Sequence, residues 1–185
     1  MPAILINAAI FLTTFILLIL CFRKEGRWQL RAGLASFRFF TILSNGLCAV
    51  GALTIDIGEA RGAVPGAAWL LKYLGTVAVT VTLLTVLLFL GPTQGGYKPL
   101  LSGSGFYFHL LGPLLAAASF CLWEKGDMAF STGLWGLVPV ALYGLLYLYK
   151  VVYAPEARRW EDFYGFNRSG KWPIEIGRAS CRERV

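Results

Sequence analysis

The chain has 185 residues, 57% of them hydrophobic and 15% charged, with a formal net charge of +7. Its apolar residues come in long blocks, which excludes an ordinary soluble domain and predicts a polytopic membrane protein. The positive balance is not a nucleic-acid stripe, because arginine and lysine collect beside the ends of the apolar blocks, where they orient a chain in the bilayer.

The predicted fold class is all-α: a polytopic transmembrane helix bundle forming one domain over 1–174, with spans at 3–22, 37–57, 67–90, 105–123 and 133–153. Each reaches or approaches the roughly 20 residues needed to cross the hydrocarbon core. The first block is too long for a signal-peptide core and lacks a small-residue cleavage site before its charged flank, so it is read as a retained span. Arg23, Lys24, Arg27, Arg31 and Arg38 flank the first connection, and Lys150, Arg158, Arg159, Arg168 and Lys171 follow the fifth span. The even-numbered connections carry only Arg61, Lys72 and Lys125. The positive-inside rule then predicts the odd-numbered connections on the cytoplasmic side and the N-terminus outside.

Gly62, Pro65 and Gly66 mark the second turn, and Gly91-Pro92, Gly95-Gly96 and Pro99 the third. Pro155 to Asn167 mixes Trp160, Phe163, Tyr164 and Phe166 with Arg158, Arg159, Glu161 and Asp162, a composition suited to a stretch along the headgroups or to a polar loop carrying belt aromatics. The tail at 175–185 does not fit what precedes it. Trp172-Pro173-Ile174 reads as the entry to a sixth span, yet the sequence turns polar and stops, and one back-translation of the tail resembles a short-read sequencing adapter. The expectation is a non-native tail and a sixth span lost at the C-terminus.

Cys21, Cys48 and Cys121 have neither disulfide nor zinc-ligand spacing, and neither a phosphate loop nor a metal-ligand pattern occurs, so no cofactor or metal is expected. The thin supply of intramembrane charge argues against a proton pump or a voltage sensor.

Chemistry is expected around the one histidine, His109, five residues into the fourth span. An ionisable side chain at membrane depth is a functional candidate, although a histidine hydrogen-bonded to a neighbouring helix explains it equally well. In the second span, Arg38, Thr41, Asn45, Cys48 and Ala52 recur every three or four residues and form a small or polar stripe that should face the bundle. Threonine there usually bonds its own backbone one turn back. Spans two and four begin on the same side, however, so Thr41 and His109 lie level, each roughly 7 Å deep at 1.5 Å per residue. A hydroxyl beside an imidazole is the minimal nucleophile–base pair. Pro113 has no N–H for the carbonyl of His109 and predicts a kink, used for function or for packing, with Gly112 permitting close approach. Asp56 lies about 22 Å along the helix from Thr41, near the opposite face, and nothing in the sequence brings Glu161 or Asp162, which lie on the correct side, close to His109, so a dyad is expected in place of a triad.

Phe40-Thr41-Ile42-Leu43-Ser44-Asn45 and Phe106-Tyr107-Phe108-His109-Leu110-Leu111-Gly112-Pro113 resemble motifs of the androgen-induced-gene family of six-span membrane proteins, which includes the bacterial Pr6Pr membrane proteins. The resemblance covers most of 1–174. It implies a hydrolase of lipid esters such as fatty acid esters of hydroxy fatty acids, with Thr41 as nucleophile and His109 as its essential histidine. It also implies a bacterial cytoplasmic (inner) membrane location and membrane lipids as partners. Asn45, one turn from Thr41, is spaced to donate to an oxyanion, with Ser44 beside it in support. The competing class is a non-enzymatic membrane protein, a lipid- or ligand-binding bundle or a subunit of a transporter or complex, in which the same polar groups only bond across helices.

Overall fold

A computed structural model describes residues 2–124 and 129–167. The expected sixth span and the 175–185 tail lie outside the described residues. Five helices are long and apolar enough to cross a membrane: α1 (Pro2–Leu20), α3 (Phe40–Ala60), α4 (Gly66–Thr93), α5 (Ser104–Leu122) and α6 (Phe130–Tyr153). The protein is an all-helical transmembrane bundle. A short helix α2 (Leu30–Ser36) and a two-stranded hairpin, β1 (Arg23–Lys24) against β2 (Arg27–Trp28), fill the first connection. Glu25 (φ 52°) and Gly26 (φ 76°) form the hairpin turn in the left-handed region that such tight turns require.

The chain divides into two compact units, 1–140 and 141–185. In the first, α1, α3, α4 and α5 pack against one another, and small residues set how closely. A Cβ on Gly75 would lie 2.5 Å from Cys48 Cα, and one on Gly51 would lie 2.7 Å from Lys72 Cα. Glycine at both positions lets the backbones of α3 and α4 touch, the usual device where lipid supplies no hydrophobic drive between helices. Ile10, Cys48, Ala52, Val79 and Ala116 fill the middle of the bundle, while Ile42, Tyr107 and Phe108 fill the end nearer the hairpin.

In the second unit the stretch after α6 forms a knot of aromatic rings around the buried Tyr147, with Phe163 at 4.9 Å and Tyr164 at 5.1 Å between centroids. Asp162 ties the knot, accepting from the Tyr147 hydroxyl (2.8 Å) and from the N–H groups of Phe166 and Asn167.

Two local features depart from expectation. Gly91-Pro92 does not end the third span: a π-helical turn at Val86–Leu90 carries the helix through to Thr93, and the Tyr97 hydroxyl donates to Leu87 O (2.9 Å), the carbonyl that Pro92 leaves without a donor in that register. Ahead of Pro113, where a kink is expected, lies a second π-helical turn, Tyr107–Leu111, and α-helix resumes at Gly112.

Candidate active site

Thr41 is the second residue of α3 and His109 the sixth of α5. Their side chains meet across the bundle, with Thr41 Oγ1 3.3 Å from His109 Nε2. Thr54, Thr80, Thr82 and Thr93 donate to carbonyls one turn back. Thr41 is directed at the imidazole instead. Both residues are only half-buried, so the pair is reachable from outside the packed core.

The other ring nitrogen settles the tautomer. His109 Nδ1 is 2.6 Å from the Leu100 carbonyl oxygen, and a carbonyl can only accept. Nδ1 therefore carries the hydrogen, and in the neutral ring Nε2 presents its lone pair to the Thr41 hydroxyl. A backbone carbonyl thus fills the orienting role that a carboxylate would take in a triad. Gly105 makes room for it, since a Cβ there would lie 2.5 Å from Leu100 O.

Asn45 is buried, and its Nδ2 donates to two carbonyls, Thr41 O (2.8 Å) and Phe108 O (3.1 Å). The π turn explains the second bond. The Gly112 N–H reaches back five residues to Tyr107 O, so in that register the acceptor left without a donor by Pro113 is Phe108 O, not the His109 carbonyl expected from α-helical spacing. Asn45 supplies the missing donor. With both amide hydrogens committed, Asn45 clasps α3 to α5 and is not poised to donate to an oxyanion. Ser44 faces α4, with its hydroxyl 2.9 Å from Thr82 Oγ1 and 3.2 Å from Thr41 O.

A second polar cluster escaped the sequence reading. Lys72, counted there with a connection, is a fully buried residue of α4. Its Nζ donates to Asn7 Oδ1 and lies 3.2 Å from Glu124 Oε1. The same Glu124 oxygen accepts from Asn7 Nδ2 (2.7 Å) and Ser119 Oγ (2.8 Å). Glu124 follows the C-terminus of α5 and folds back into the bundle. The signal was present in the predicted span 67–90, which already contains Lys72 on the buried face with Ala68, Thr76 and Val79. Among the described residues no group of three His, Cys, Asp or Glu side chains is placed to hold a metal.

Comparison of the chain with protein-family models, with curated proteins and with solved structures finds no match in any of the three.

Proposed function

We propose that this membrane protein is a threonine-nucleophile hydrolase of lipid esters, of the kind that the androgen-induced-gene resemblance implies, with fatty acid esters of hydroxy fatty acids as the substrate class. One observation carries the reading: the Thr41 hydroxyl faces the unprotonated nitrogen of a histidine whose tautomer is fixed by Leu100. His109 Nε2 takes the hydroxyl proton as Thr41 Oγ1 attacks the ester carbonyl. It then returns that proton to the departing alkoxide, and water, activated by the same nitrogen, releases the acyl group from Thr41. The 3.3 Å separation is longer than a tight hydrogen bond, and such catalytic pairs draw together as substrate binds.

The Ile42 and Leu43 N–H groups donate to Phe39 O, whereas the N–H of Thr41 itself, second residue of α3, has no acceptor within its helix and takes the oxyanion role that spacing assigns to Asn45. The pair lies near the end of its spans and is half-buried, so a lipid ester would enter sideways from the bilayer. The membrane in question is the bacterial cytoplasmic membrane, with the N-terminus outside, on the resemblance and the distribution of arginine and lysine.

Fluorophosphonate labelling of the purified protein tests the assignment. Labelling of wild type that disappears in both Thr41→Ala and His109→Ala, at unchanged expression, is the expected result. A folded wild type that takes no label would move the reading to a lipid-binding or structural bundle. The Leu100 carbonyl can be probed through Gly105→Ala, whose Cβ would force that oxygen away from His109 Nδ1. Labelling should slow by up to about 10²-fold with Thr41 and His109 both intact, as expected for a misplacement on the order of 1 Å.

A further inference from the structure

Asp56, Lys72 and Glu124 gather toward the end of the first unit that carries the N-terminus, away from Thr41 and His109. If all three are ionised, one cation faces two carboxylates. The hydrogen bonds are distributed as unevenly as the charge. Glu124 Oε1 takes Lys72, Asn7 and Ser119, whereas Oε2 is buried with no partner. The Glu124 residue is only 7% exposed, so water does not make up the deficit. Asp56 Oδ1 is likewise buried and unpartnered, although the rest of Asp56 is partly exposed. Each packed element contributes a facing group: Asn7 from α1, Asp56 and Cys48 from α3 with Glu59 near Asp56, Lys72 from α4, and Ser119 with Glu124 from α5 and its end.

A carboxylate oxygen deprived of both water and donor is expensive, and a neutral carboxyl is far cheaper to bury. A proton removes the excess negative charge without displacing Lys72. A metal cation would meet the Lys72 ammonium at the same place. We propose that Asp56 and Glu124, set against Lys72, form an exchangeable proton site, distinct from the Thr41–His109 pair. One proton leaves water at that end of the bundle and forms an O–H bond on one of the two carboxylates. No other bond forms or breaks. The partly exposed Asp56 is the point of entry. Because the cluster draws on α1, α3, α4 and α5, proton occupancy changes the charge where four helices meet.

Infrared difference spectra of the full-length protein in lipid vesicles, taken between acidic and alkaline pH in choline buffer, test the site. The expected result is a protonated-carboxyl band in wild type that is lost in Asp56→Asn or in Glu124→Gln. Should Glu124→Gln fail to fold, Glu124→Asp keeps a carboxyl at that position and should displace the band, so that together with Asp56→Asn both carboxylates are still read. A wild-type spectrum reproduced by both variants overturns the proposal. So does a band displaced by sodium at fixed pH, because the ligand would then be the metal cation.

Discussion

His109→Ala is expected to lower lipid-ester turnover by about 10²–10⁴-fold, the usual contribution of a positioned general base. The expectation rests on the two ring nitrogens having separate tasks. Nδ1 is spent on Leu100 O, and Nε2 alone faces Thr41. Removing the ring leaves a hydroxyl that is too weak a nucleophile without a base. Thr41→Ala should be at least as severe, and the double variant no worse than the worse single one, because residues acting as a unit give non-additive losses. Thr41→Ser keeps the hydroxyl and should retain turnover. Steady-state kinetics on a long-chain ester with solubilised protein reads these outcomes, with melting temperature recorded beside them. A packing pair would shift the melting temperature by the equivalent of roughly 0.6 kcal/mol, as cross-helix hydrogen bonds in membranes do on average, with no turnover to lose.

The bundle was legible because lipid imposes one length on every span. Apolar runs near that length predicted 3–22, 37–57 and 105–123, against Pro2–Leu20, Phe40–Ala60 and Ser104–Leu122. Span order and helical rise also placed Thr41 and His109 at one depth, and their side chains meet. Fine register was not legible. A π turn displaces the carbonyl freed by Pro113 by one residue, from His109 to Phe108, and nothing in a short apolar run distinguishes an α turn from a π turn. Asn45 was read for spacing to Thr41 along its own helix, whereas its amide is claimed partly by a residue 63 positions away. Lys72 failed for a related reason. A lysine near a span end normally reaches for water, and only its meeting with Asn7 and Glu124, from remote segments, keeps it inside.

Lys72→Met should destabilise the protein by about 3–5 kcal/mol, the range for breaking a buried pair by removing one partner. Lys72 is fully buried, and the Glu124 side chain it faces is 2% exposed. Methionine matches the stem of lysine but leaves Glu124 as a carboxylate without a counter-charge. Asn7 loses a partner as well, because its Oδ1 accepts from Lys72. The penalty comes mainly from the stranded charge, not from the worth of the ion pair. Replacing both partners, Lys72→Met with Glu124→Gln, should therefore recover most of the stability, since well-packed neutral substitutes for buried pairs are often neutral or better. Unfolding of the three proteins followed by tryptophan fluorescence at several pH values separates these cases. A single variant as stable as wild type at alkaline pH would mean that Lys72 and Glu124 do not face each other as buried charges. A double variant as unstable as the single one would mean that the ion pair itself, not the stranded carboxylate, holds α4 against the end of α5.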